Sequence, residues 1–191
     1  LAAVRDVAHH YSLPFYLDGA RIFNLAVATG RPARDYTSMA DLTMFCLSKG
    51  LSAPVGSVLC GPRDVIERAT RTRFLMGGAM RQAGLLAACG IYALNHLVER
   101  LAEDHAHAKQ LAAAIDRWPA LRLGQASVDT NMVYLDVSGA GMTSTEFCAR
   151  LASRGVLAGG VDQTMVRLVT HRGITTEDIA TVIADIDRIL E

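Results

Sequence analysis

Leu42-Thr43-Met44-Phe45-Cys46-Leu47-Ser48-Lys49-Gly50-Leu51-Ser52-Ala53-Pro54-Val55-Gly56-Ser57 joins an apolar run to a loop marked by glycine and proline, with a lysine at the junction. Residues 42–47 read as a buried strand, because a short apolar run bounded by turn residues fits a sheet interior. Lys49 is one of only two lysines, with Lys109, among nineteen lysines and arginines. A cation at the end of a buried strand is costly unless it is used. An amine can be driven neutral and made nucleophilic, which a guanidinium cannot. In a chain rich in arginine, Lys49 therefore reads as selected for chemistry.

Upstream, Leu1, Val4, Val7 and Ala8 have the spacing of one helical face, and Pro14 stops that helix before a short strand, Phe15-Tyr16-Leu17. The strand ends at Asp18-Gly19, and a helix carrying Ile22, Phe23, Leu25 and Ala26 follows from near Ala20. Downstream, Ser57–Cys60 reads as a strand neighbouring the lysine strand, and Pro62 suits the first turn of the next helix. An Ala/Leu-rich helical pattern runs from about Met80 to Trp118, roughly three times the mean helix length, so one break is expected in it. It forms the natural arm between two domains. The last third reads strand (132–137), helix (143–154, with Thr143 and Glu146 at capping-box spacing), strand (156–158), strand (165–170) and helix (176–190). This is a small α+β unit.

The bulk numbers bound the function. At 191 residues and 51% hydrophobic composition the chain has material for one large domain, or one plus a smaller one. Nineteen acidic residues balance nineteen Lys and Arg, so no field gathers polyanions and nucleic acid is not expected as a partner. No apolar run approaches the roughly 20 residues of a membrane-spanning helix, so no membrane partner is expected. Cys46, Cys60, Cys89 and Cys148 lack CxxC spacing and fall in apolar patterns, which reads as small core residues in a reducing cytoplasm. The six histidines form no metal-ligating spacing, and Trp118 and the methionines read as packing. The chain opens without Met and inside a helical periodicity, the reading of a segment from a longer polypeptide.

Open α/β sheets bind ligands beyond the carboxyl ends of their strands, so Asp18 and Lys49 are expected to converge on one crevice. An amine and a carboxylate so placed suit pyridoxal 5′-phosphate: the amine holds the carbonyl carbon, and the carboxylate keeps the pyridine nitrogen protonated. From residue type alone, Asp18 is more commonly a helix N-cap, and Lys49 alone would be a solvated strand-end residue.

Three blocks narrow these alternatives: Leu17-Asp18-Gly19-Ala20-Arg21-Ile22-Phe23-Asn24, the segment 47–57, and Gly77-Gly78-Ala79-Met80-Arg81-Gln82-Ala83-Gly84. In order, they closely resemble consecutive blocks of the threonine aldolases, in the β-eliminating lyase branch of the fold-type-I pyridoxal phosphate enzymes. Arg167-Leu168-Val169-Thr170-His171 resembles a fourth block, from that family's C-terminal domain. The resemblance implies an α/β, fold-type-I architecture: residues 1–100 as the second half of the cofactor-binding large domain, and 101–191 as the small C-terminal domain. It implies Lys49 as the Schiff-base lysine, Asp18 as the pyridinium partner, Arg21 as a ligand of substrate carboxylate or ring substituents, Arg167 as a second carboxylate clamp, and Arg81 as a phosphate or subunit contact. A guanidinium suits the carboxylate role because its planar fork matches the two oxygens; Arg167 could equally be a surface charge on an edge strand. Phe74 stands where the family commonly has a basic residue, and Ala79 replaces a usual third glycine.

The implied reaction is retro-aldol cleavage of a β-hydroxy-α-amino acid, L-threonine or L-allo-threonine giving glycine and acetaldehyde. The implied partners are an amino-acid substrate and further copies of the chain, as a homodimer or homotetramer. No residue stands out as the base for the β-hydroxyl. The family's phosphate loop, its stacking ring and its histidines near that hydroxyl are implied to lie before Leu1, so these residues alone are expected to bind the cofactor weakly and not to turn over. The rival readings are another fold-type-I enzyme, a transaminase or amino-acid lyase, and a non-catalytic remnant of the fold.

Overall fold

Pro14 and Gly19 bracket the first strand in the computed structural model, which describes residues 1–191. The chain divides into two compact units, Leu1–Arg100 and Leu101–Glu191.

In the first unit, α1 (Ala2–His10) leads to β1 (Tyr16–Asp18), α2 (Ile22–Thr29), the short α3 (Arg34–Thr37), β2 (Leu42–Cys46), β3 (Ser57–Cys60), α4 (Arg63–Leu75) and α5 (Gly84–His96). The sheet order is β1-β2-β3, with β1 parallel to β2 and β2 antiparallel to β3. A parallel pair needs a crossover, and α2 with α3 supplies it. Helix α2 stops at Gly30, whose left-handed backbone (φ 65°) lets Arg31 N–H return to Ala26 O at 3.1 Å. His9 Nε2 lies 3.0 Å from Asp41 Oδ2, and Phe15 N–H donates to the same oxygen at 2.7 Å, tying α1 to the sheet. Those two contacts hold the Asp41 carboxyl below the usual carboxylate range, the backbone N–H contributing most.

Strand side chains alternate between faces, so Leu17, Thr43 and Phe45 share one face. Phe45 meets Phe23 of α2 edge-on at 5.3 Å, and Thr43 is buried. The opposite face bears the exposed Tyr16 and Leu59. The expectation of a fully buried strand is corrected here: α2 covers one face of β2, and within residues 42–46 only Thr43 is buried. Helices α1 and α4 likewise contain no buried residue, which leaves the apolar stripe of α1 exposed.

The second unit runs α6 (Leu101–Ala114), a 3₁₀ turn (Ile115–Arg117), β4 (Arg122–Leu123), β5 (Met132–Asp136), α7 (Ser144–Ala152), β6 (Gly159–Gly160), β7 (Met165–Val169) and α8 (Thr176–Leu190). Its antiparallel sheet has the order β4-β5-β7-β6. Val133, Leu135, Val137, Val166 and Leu168 line one face and join Leu111, Phe147, Leu151, Ile179 and Ile186 in a single core. Helices α7 and α8 open with capping boxes, Thr143 with Glu146 and Thr175 with Asp178.

Several expected boundaries move. The long helical pattern begins at Gly84 rather than Met80, because Gln82 has φ 54°, and it breaks between His96 and Leu101. Residues 156–158 form no strand: Gly155 is left-handed (φ 84°) and Val156 N–H returns to Leu151 O at 3.0 Å, closing α7 instead. The pairing falls to Gly159 and Gly160. Pro62 is the N-cap of α4 rather than its first helical residue. The cysteines are free: Cys148 packs against the core of the second unit, Cys46 and Cys89 are half-buried, and Cys60 is exposed. Met76 and Met80 are exposed rather than packed.

Replacing Thr143 or Thr175 with Ala should each lower stability by about 1 kcal/mol in chemical denaturation, the usual worth of such a cap. In the folded chain the Glu146 and Asp178 carboxyls are held below their ordinary values, first by the N-cap N–H groups and then by the threonine hydroxyls. His105 is also held low, by burial and then by Lys109. In all three cases the unfolded chain binds the proton first as pH falls, so stability is complete above the unfolded values and declines below them. Denaturation midpoints should begin to drop below pH 6.5, where the unfolded His105 titrates, and fall further through the carboxylate range. The Glu146→Gln, Asp178→Asn double variant should flatten that second decline.

Candidate functional site

Lys49 is presented by a turn whose other residues are anchored. Leu47, Leu51 and Ala53 are buried, whereas Ser48 and Lys49 are exposed. Leu47 N–H donates to Gly56 O at 2.9 Å, Ala53 N–H to Leu47 O at 3.0 Å, and Ser52 N–H to Lys49 O at 2.8 Å. Gly90 of α5 packs against Leu47 so closely that a Cβ there would lie 2.9 Å from Leu47 Cδ1. The strand end is therefore fixed by its apolar neighbours, and Lys49 itself is exposed.

Asp18 reaches the same edge through the parallel register. Asp18 pairs with Met44, so both strands run toward one end of the sheet. Gly19 N–H donates to Met44 O at 2.9 Å and Cys46 N–H to Ala20 O at 3.3 Å, which extends the ladder past β1. A Cβ on Gly19 would lie 2.9 Å from the Met44 carbonyl oxygen, so the close approach requires glycine. The Asp18 carboxylate accepts the Ala20 N–H at 3.0 Å. It is not the N-cap of α2, a position held by Arg21. Arg21 is half-buried, and its Nε is buried without a hydrogen-bond partner. A buried donor left unpaired is costly, and Arg21 Nε is such a donor.

Arg81 is exposed on the segment between α4 and α5, after Gly77 (φ 72°) and before Gln82, and no hydrogen bond links it to Asp18, Arg21 or Lys49. Phe74, at the end of α4, is 65% exposed, so no packing demand explains an aromatic there. Arg167 belongs to the second unit. Its neighbours Val166 and Leu168 point into the core, while its own side chain stands on the open face, opposite Tyr134 of β5 and Gly159 of β6. Strand β7 is interior to its sheet, so Arg167 is not on an edge strand.

Ser52, at φ 60°, is the feature of this site that the sequence did not flag. Serine is neither glycine nor asparagine, and nothing in its type announces a left-handed backbone.

An amine, a carboxylate on the neighbouring strand end and a guanidinium with an unpaired buried donor are groups that could hold an anionic carbonyl compound with a basic ring nitrogen. Comparisons with known proteins identify the family. The family model described as beta-eliminating lyase matches residues 1–138. Low-specificity L-threonine aldolase 1 of Arabidopsis thaliana is 37% identical over 177 residues, 92% of this chain and 49% of that protein. The low specificity L-threonine aldolase of Escherichia coli K12 is 43% identical over 173 residues, 91% of this chain and 50% of that protein. A crystal structure of a candidate L-allo-threonine aldolase from Listeria monocytogenes superposes with TM-score 0.79 over 98% of this chain and 55% of that one. At 16% identity that likeness shows the fold. The chain spans about half the length of the curated relatives it matches.

Gly19→Ala should cost about 1–3 kcal/mol, the range for forcing an atom into a packed site. Gly84→Ala, at the start of α5 with open space around it, should be neutral or stabilising by up to about 1 kcal/mol. Denaturant midpoints of the two variants check the contrast.

Proposed function

Because this chain belongs to the beta-eliminating lyase family, we propose that its protein uses pyridoxal 5′-phosphate to cleave β-hydroxy-α-amino acids, converting L-threonine or L-allo-threonine to glycine and acetaldehyde. The observation that carries this reading is the parallel β1–β2 register, which brings Asp18 and Lys49 to one sheet edge, with the unpartnered Nε of Arg21 three residues beyond Asp18.

When bound, the cofactor supplies an electron sink for the pair left on Cα as the Cα–Cβ bond breaks. Lys49 Nζ is the amine that would hold it. Asp18, already oriented by the Ala20 N–H, would accept a hydrogen bond from the ring nitrogen and favour its protonated form. Arg21 offers its buried donor to a carboxylate or ring substituent. Arg167, exposed on its own sheet face, is a planar fork for the amino acid's carboxylate. Arg81 is proposed as a phosphate or subunit contact. The exposed Phe74, Leu75, Met76, Met80 and Leu85 support self-association into a homodimer or homotetramer. No helix is long and apolar enough to cross a membrane, which is compatible with a cytoplasmic enzyme.

Mixing the full-length protein with pyridoxal 5′-phosphate should produce a visible absorption band that its Lys49→Ala variant lacks. Threonine should then yield acetaldehyde and glycine, and Lys49→Ala should fall to background. A 2-oxo acid in place of the aldehyde would identify a transaminase instead. Arg167→Lys should raise KM for threonine about tenfold to a hundredfold, the worth of one charged hydrogen bond, with a smaller change in kcat.

A further inference from the structure

We propose that Ser52 is a positioning residue for Lys49, acting through the turn that carries the lysine. This rests on the reading of Lys49 as the cofactor-holding amine.

Three observations meet at Ser52. Its backbone is left-handed, φ 60°, a region that side-chain-bearing residues rarely enter. Its N–H donates to Lys49 O at 2.8 Å, and its hydroxyl donates to Gly50 O at 3.2 Å. The next residue, Ala53, is buried and donates its N–H to Leu47 O at 3.0 Å. Lys49 thus sits inside a loop closed on both sides, between the Leu47 carbonyl that Ala53 holds and its own carbonyl that Ser52 holds.

The left-handed step at Ser52 reverses the chain so that Ala53 can reach back to Leu47. A residue confined to negative φ would turn Ala53 outward, release the Leu47 carbonyl and free the Lys49 backbone. Glycine would adopt the same conformation, but with more freedom to lose on folding and without the hydroxyl. Serine supplies the conformation and an additional tether to Gly50. Ser52 touches no reacting atom in this account; it fixes the direction in which the amine leaves the strand end.

The composition provides an internal control. Lys109, exposed on α6, is the only other lysine. Pyridoxal 5′-phosphate is added to the protein, trapped with borohydride, and the ratio of label on the Lys49 and Lys109 peptides is measured for wild type, Ser52→Gly, Ser52→Asn, Ser52→Ala and Ser52→Val. Hydrogen exchange of the Ser52 and Ala53 amides is followed in the same proteins without cofactor.

The wild-type ratio should strongly favour Lys49. Gly and Asn, which tolerate positive φ, should stay within about twofold of it, whereas Val should lower it by about fivefold or more, with Ala between. Exchange at Ser52 and Ala53 should accelerate in the same order, and Lys109 labelling should not change. A wild-type ratio near one overturns the cofactor reading itself. A high wild-type ratio that Val leaves intact, or that Gly lowers as much as Val, overturns the role of Ser52 alone. If Val does not fold, Ala against Gly decides: Ala labelled as well as Gly overturns the inference.

Discussion

The parallel pairing of β1 with β2 is the constraint on which the candidate site depends. Neither strand carries a complete site: one ends in a carboxylate and the other runs into an amine. Pairing them in the same direction, with Asp18 opposite Met44, makes two distant sequence segments into one edge. The hydrogen bonds from Gly19 to Met44 and from Cys46 to Ala20 carry the ladder past the last regular residue of β1. They fix the strand ends where regular pairing would otherwise fray. Glycine at position 19 follows from this, because the carbonyl it approaches leaves no room for a side chain.

The two units solve the burial problem differently. In the second, alternation along β5 and β7 feeds one face of a four-stranded sheet into a core with three long helices, and the other face is left to Arg167 and its neighbours. In the first, a three-stranded sheet has one face against α2, while α1 and α4 bury nothing. Local hydrogen bonds in this unit include the His9–Asp41–Phe15 tie and those of the Lys49 turn.

Much of this was legible in the sequence where a local cause acts alone. The Thr143–Glu146 box, the strand at Leu42 and the break in the long helical pattern all follow from residue type and spacing. The Asp18 and Lys49 strand ends were legible as well, because apolar runs ending in a charge next to glycine are uncommon. What escaped was set by bonds between segments. The pairing of Gly159–Gly160 depends on β7 passing beside it, and β4 is too short for periodicity to register. The exposure of Lys49 depends on how Leu47 and Leu51 are held, and the left-handed Ser52 on the carbonyls around it. Sequence patterns report what a residue favours, and here the neighbours decided.

The lysine turn also bears on how the chain meets reactive carbonyl compounds. Aldehydes condense with amines far more readily than with guanidinium groups, which stay protonated and diffuse in charge. Of nineteen lysines and arginines only two are lysines, Lys49 and Lys109. A surface whose positive charge comes almost wholly from arginine offers stray aldehydes few amines to attach to. Adduct formation is thereby concentrated at one strand end and one helix, and the rest of the chain is spared the slow cross-linking that lysine-rich surfaces undergo.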